Sequence, residues 1–103
     1  MADSPVFEWT CEALEQATGF DRLAARGTLR LVLKAAGLEA RSVSREQMDA
    51  VLRRALPSEL TARGVAESAS VAGAIADTLA TAQLAEGAAK DTPEAVFSRL
   101  GGA

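Results

Sequence analysis

The stretch SREQMDAVLRRALPSELTARG, residues 44–64, carries the clearest helix signals of the chain. Ser44, followed three residues later by Gln47, matches a capping box at a helix N-terminus. Apolar residues then recur at the spacing of one helical face, at Met48, Val51, Leu52, Ala55 and Leu56. Pro57 ends this helix, because proline disfavours helical geometry in the preceding residue, and it also suits the first turn of another helix. The stretch therefore predicts two consecutive helices, the second of them short and ending at Gly64.

Similar boundary signals divide the rest of the chain. Ser4-Pro5 predicts the start of a first helix that stops at Thr18-Gly19. Asp21 predicts the cap of a second helix running to about Ala36. An alanine-rich helix is predicted from Val65 to about Ala85. One face of this helix carries Ala72, Ile75, Ala76, Leu79 and Gln83.

The second helix combines a wide apolar face with apolar residues outside it. The face consists of Ala25, Leu29, Val32, Leu33 and Ala36. Leu23 and Leu31 fall outside this face, so we expect the helix to be contacted on more than one side and to lie centrally. Gly27 costs about 1 kcal/mol relative to alanine in a helix interior, and it predicts a close crossing with another helix.

Composition favours an all-α fold. Apolar residues make up 49% of the 103 residues, but aromatic residues make up only 4%, so much of the apolar fraction is alanine, the strongest helix former. A chain of this length has room for one domain with a modest core. We expect a compact bundle of about five helices plus a short C-terminal helix. Residues 1–85 would form the domain, residues 86–91 a linker and residues 92–103 a helical tail.

The residue inventory argues against common catalytic and metal sites. Histidine is absent and cysteine occurs once, which removes the usual general base and the ordinary zinc ligand sets. Nucleotide-binding, nucleophile-elbow and EF-hand motifs do not occur. Cys11 falls on the apolar face of the first helix, where we expect a small buried hydrophobe. We therefore expect a non-enzymatic protein without catalytic residues, cofactor or metal.

Location is indicated by three further features. A lone cysteine leaves no intramolecular disulfide, and the N-terminus lacks the basic and apolar regions of a secretory signal. The chain also lacks the run of about 18 apolar residues that a membrane-spanning helix needs. We expect a cytoplasmic protein that does not bind membranes.

Charge is unevenly distributed along the chain. Nine of the eleven cations lie in residues 22–63. Four of them recur every fourth residue along one flank of the second helix, at Arg22, Arg26, Arg30 and Lys34. This cationic row has two interpretations. It faces water or the acidic first helix, or it binds an acidic partner or the phosphates of a nucleic acid.

Two other features have a structural and a functional interpretation. Trp9 lies outside both the apolar face of the first helix and its acidic stripe of Glu8, Glu12 and Glu15, so it packs against a neighbour or anchors a partner. The predicted tail carries Val96, Phe97 and Leu100. These residues dock on this domain, or they form a short helical ligand for another protein.

These observations lead to three functional hypotheses. The first is a protein–protein interaction module, an adaptor or regulatory protein that binds another protein or itself through the cationic row and the tail. The second is a nucleic-acid-binding module that uses the basic block from Arg22 to Arg54 through phosphate contacts. The third is a carrier with a cleft for a small ligand between the alanine-rich helix and the second helix. Binding at low salt separates the second hypothesis from the first.

Several boundary residues form a pattern shared with other proteins. They are Phe7, Thr18-Gly19-Phe20-Asp21, Ala25-Arg26, Leu29, Val32-Leu33, Ser44-Arg45-Glu46-Gln47, Leu56-Pro57-Ser58-Glu59-Leu60 and Thr92-Pro93-Glu94-Ala95-Val96-Phe97. On those between Phe7 and Leu60, residues 7–64 resemble one half of a bacterial all-helical domain family of uncharacterised function with a recurring (Gln-)Leu-Pro helix stop. Residues 92–97 also resemble helix openings in that family. Ala55 stands where that family usually has glutamine. The resemblance implies a helical fold and brings no catalytic residues.

Overall fold

Five α-helices account for most of residues 3–84, the part of the chain that the computed structural model describes. They are α1 (Pro5–Thr18), α2 (Arg22–Ala35), α3 (Arg45–Arg54), α4 (Leu56–Ala62) and α5 (Ser68–Thr81). The described residues contain no β-strand, so the all-α prediction is confirmed. The predicted linker and helical tail, including Val96, Phe97 and Leu100, lie outside the described residues.

Side-chain caps explain where the first three helices begin. The Ser4 hydroxyl accepts a hydrogen bond from the Phe7 N–H at 3.1 Å, and the Asp21 carboxylate accepts one from the Ala24 N–H at 2.8 Å. Ser44 and Gln47 form the reciprocal capping box, at 3.1 and 3.0 Å. These bonds satisfy amide groups that have no partner within the helix itself. The predicted starts of α1, α2 and α3 are therefore confirmed.

The alanine-rich helix is shorter than predicted at both ends. Glu67 has a φ of 55° and precedes the first helical residue, Ser68, so the turn before α5 is not helical. Ala82 is extended and ends the helix after Thr81. Gln83, which was predicted to lie on the buried face, follows this end and is exposed.

Leucine side chains dominate the core. The fully buried large side chains include Phe7, Leu14, Leu29, Leu33, Met48, Leu52, Leu56, Leu60 and Leu79. Of the predicted α5 face, Ala72, Ile75, Ala76 and Leu79 are buried. α5 packs against α1, α3 and α4, whereas α2 packs mainly against α1.

Two predictions about α2 are wrong within residues 3–84. Leu23 and Leu31 are exposed, so no described element covers the second side of α2. A Cβ atom added at Gly27 would meet no atom within 4 Å, so no close helix crossing occurs there. The 3.6-residue periodicity identified Leu23 and Leu31 as lying outside the buried face, but periodicity does not say whether a neighbour exists on that side.

None of the described helices combines the length and the apolar character needed to cross a membrane.

Candidate interaction surface

Half of the cationic row is bound to acidic groups near the start of the chain. The Arg26 guanidinium donates to Asp3 Oδ2 at 2.6 Å and to Glu8 Oε1 at 2.8 Å, and Arg30 donates to the same Asp3 oxygen at 2.7 Å. The Asp3 side chain retains 13% of its exposure. The Ser4 N–H also donates to the Ala40 carbonyl at 3.0 Å, which holds this segment in place.

The Phe7 ring lies beneath the same two arginines. The guanidinium carbons of Arg26 and Arg30 lie 5.3 and 5.1 Å from the ring centroid. At this distance the negative face of the ring attracts a cation. Phe7 is fully buried, so the two guanidinium groups also help to exclude water from the ring. This cluster attaches α2 to α1 and gives Arg26 a structural role.

Titration of the cluster reflects these contacts. The hydrogen bond from Arg26, together with the charges of the nearby arginines, lowers the pKa of Glu8, against a smaller opposing effect of burial. The same hydrogen bond raises the pKa of Arg26. Both groups therefore remain charged near neutral pH, as an ion pair requires.

The remaining cations of the row lie on the solvent side of α2. Arg22 and Lys34 are exposed and form no ion pair with another residue of the range 3–84. Leu23, Gly27 and Leu31 each follow a cation of the row by one residue, so a second row runs beside the first, about 100° around the helix. We use the name outer face of α2 for this second row together with the two exposed cations Arg22 and Lys34. It consists of Arg22, Leu23, Gly27, Leu31 and Lys34.

Exposed leucines are the unusual part of this face. The Leu23 side chain is 81% exposed and that of Leu31 is 49% exposed, and they are the two exposed large apolar side chains among residues 3–84. α2 contains no acidic residue. The outer face of α2 is thus both apolar and positively charged.

Several cations beyond α2 also bind within the molecule. Arg45 donates to the Leu79 carbonyl near the end of α5. Arg53 binds Asp49 at 3.1 Å and Asp77 at 2.8 Å, and these bonds raise its pKa. Arg41 and Arg63 pair with neighbouring glutamates. Much of the basic block from Arg22 to Arg54 is therefore engaged within the molecule rather than free to contact a partner.

A groove of about 370 Å³ runs between α1 and α5. We call it the Trp9 groove. Its lining residues are Trp9, Glu12, Ala13, Gln16, Ala17, Ala74, Ile75 and Thr78. Alanines make up much of the lining, half-buried Trp9 lies at one end, and Glu12 brings a negative charge. This groove differs from the cleft predicted between the alanine-rich helix and the second helix, because α1 rather than α2 forms its other wall.

Nucleophile and metal chemistry have little support in the described residues. Cys11 is buried, and desolvation raises the pKa of its thiol to about 12, so it stays protonated at neutral pH. No group of three or more potential metal-binding side chains lies together within residues 3–84.

Two features of these surfaces were not identified from the sequence. Asp3 precedes the helix cap at Ser4, and no local sequence pattern predicts its ion pairs with Arg26 and Arg30. Leu23 and Leu31 were expected to be contacted by a neighbour. Their four-residue spacing from Gly27 nevertheless places them in one row beside the cations.

Comparison with protein-family models, curated proteins and solved structures finds no match to this chain.

Proposed function

We propose that this protein is a non-enzymatic protein–protein interaction module, an adaptor or regulatory protein that binds its partner through the outer face of α2. The observation that carries the proposal is the exposure of Leu23 and Leu31 beside Arg22 and Lys34, which form no ion pair within residues 3–84. Fully burying a leucine side chain contributes about 1.5–3 kcal/mol. Cations at the edge of such a contact favour an acidic partner and exclude a basic one.

Nucleic-acid binding through the basic block is the competing hypothesis. It needs several cations free to contact phosphates, and the internal ion pairs of Arg26, Arg30 and Arg53 count against it. An electrophoretic shift assay at low and moderate salt tests it. Phosphate contacts are strongest at low salt, so we expect no shift at about 50 mM salt.

A pulldown with matched variants tests the protein-binding proposal. We expect native lysate to yield partners with the wild-type chain that are lost with Leu23→Ser/Leu31→Ser. The control is Ala50→Ser/Ala62→Ser, two exposed positions on α3 and α4, which should retain the partners. Circular dichroism of each variant serves to check that it folds. Identical partner lists for the wild type and the leucine variant would refute the proposal.

The C-terminal tail is a second proposed contact, through Val96, Phe97 and Leu100. A chain ending at Ala89 removes these three residues and leaves the outer face of α2 intact. Loss of some partners from its pulldown would support a role for the tail, and an unchanged list would remove the tail from the proposal.

Cytoplasmic location and membership of the bacterial helical family complete the proposal. Buried, unpaired Cys11 suits a reducing compartment. The family resemblance is supported by the helix-boundary residues of residues 7–64.

A further inference from the structure

We infer that the outer face of α2 binds the Trp9 groove of a second copy of the chain, so that copies associate head to tail. This inference rests on the proposed function and names its partner. It joins the exposed apolar row of the described residues to an apolar groove that residues 3–84 leave open.

Dimensions of the two surfaces agree. Leu23 and Leu31 are eight residues apart on α2, which corresponds to about 12 Å along a helix. The α1 wall of the Trp9 groove runs from Trp9 to Ala17, again eight residues and about 12 Å. Two leucine side chains from one helix can therefore enter the two ends of the groove together.

Charges on the two surfaces are complementary. α1 contains no basic residue, and α2 contains no acidic one. Glu12 lines the groove and Glu15 lies on the neighbouring flank of α1. Exposed Arg22 and Lys34 flank the leucines. By contrast, two copies that met through the same outer face would bring like charges together.

Position within the fold prevents α2 from filling the groove of its own copy. Arg26 binds Glu8, which places α2 on the Glu8 flank of α1. The second wall of the groove is α5, whereas α2 packs against α1, α3 and α4 and leaves Leu23 and Leu31 exposed in its own copy. The contact must therefore form between copies. Because the two contacting surfaces differ, it generates closed rings, the smallest of which is a reciprocal dimer, or open chains.

Gly27 acquires a role in this contact. No described residue comes near a Cβ atom placed on it, yet glycine in a helix interior is less favourable than alanine. A position without a side chain between two leucines lets the backbone of α2 approach the edge of the groove. Gly27→Ala should therefore raise the free energy of unfolding and weaken association, a combination that a purely structural role does not produce.

Complementary variants test the inference. Leu23→Ser/Leu31→Ser disables the outer face of α2, and Ala17→Arg adds bulk and positive charge to the groove at an exposed position. The contact is small, so a dissociation constant in the micromolar range or weaker is expected. Molar mass by light scattering, up to about 1 mM protein, should rise with concentration for the wild type and for the control Ala50→Arg. Each disabling variant alone should remain a monomer.

Mixing the two disabling variants gives the decisive result. One retains the groove and the other retains the outer face, so the mixture should form a 1:1 complex and no larger species. A wild type that stays monomeric at every concentration would overturn this inference but leave the pulldown test of the proposed function standing. An Ala17→Arg variant that associates like the wild type would also overturn it, since the contact would then not use the groove.

Discussion

Asp3 accepts hydrogen bonds from two arginines of α2, and this arrangement separates structural cations from those available to a partner. Arg26 binds Asp3 and Glu8 and covers Phe7, whereas Arg22 belongs to the same row and forms no ion pair within the described residues. The row looks uniform in sequence. Its members differ because only some of them face α1.

Replacing these two arginines should therefore have unequal effects. We expect Arg26→Ala to lower the free energy of unfolding by about 1–3 kcal/mol, because it removes charged hydrogen bonds and uncovers the Phe7 ring. Arg22→Ala should change it by less than about 0.5 kcal/mol. Urea denaturation measures both values. Similar losses for the two variants would contradict the division of the row.

The Cys11 thiol provides a prediction about pH. Its pKa is raised from 9.0 to about 12 in the folded protein. A raised acid pKa stabilises the fold below pH 9, and this contribution is lost as the pH rises from 9 towards 12. At pH 8 we expect iodoacetamide to label Cys11 only as fast as the protein unfolds, and labelling in urea to be rapid. Rapid labelling of the native protein would show that the thiol is accessible.

At the scale of elements, local signals predicted the beginnings of α1, α2 and α3, because each starts with a side-chain cap. α5 has no such cap, and its start depends on Glu67 at a positive φ. Glutamate has no preference for that conformation, so the sequence carries no sign of it. Likewise, the exposure of Leu23 and Leu31 depends on which neighbours the whole fold provides.

Glu67 also predicts a stabilising substitution. Left-handed backbone costs a non-glycine residue roughly 1–2 kcal/mol, and glycine avoids this cost at some expense in unfolded-state entropy. We expect Glu67→Gly to raise the free energy of unfolding by about 0.5–1 kcal/mol. Glu67→Ala keeps the Cβ atom and should give no such gain. Thermal and urea denaturation compare the two, and an equal effect of both would mean that the backbone at Glu67 is not strained.

At the scale of the whole molecule, the surface consists of parts used for folding and parts available for binding. The arginines near Asp3 and Asp77 belong to the first group. The outer face of α2 and the Trp9 groove belong to the second. Helix number and class followed from the sequence because they depend on local patterns. The groove did not, since it requires α1 and α5 to lie side by side.

Trp9 is the only tryptophan of the chain, and its fluorescence reports directly on the groove. Leu23→Ser/Leu31→Ser, which keeps the groove, is titrated with a chain carrying Trp9→Phe and Ala17→Arg, which keeps the outer face of α2 and contains no tryptophan. We predict a saturable shift of emission to shorter wavelength, because the incoming leucines exclude water from the indole ring. A titrant that also lacks Leu23 and Leu31 should cause no shift. About 1 mM of the first titrant lies well above a dissociation constant in the micromolar range. Unchanged emission up to that concentration would contradict binding of the outer face of α2 to the Trp9 groove.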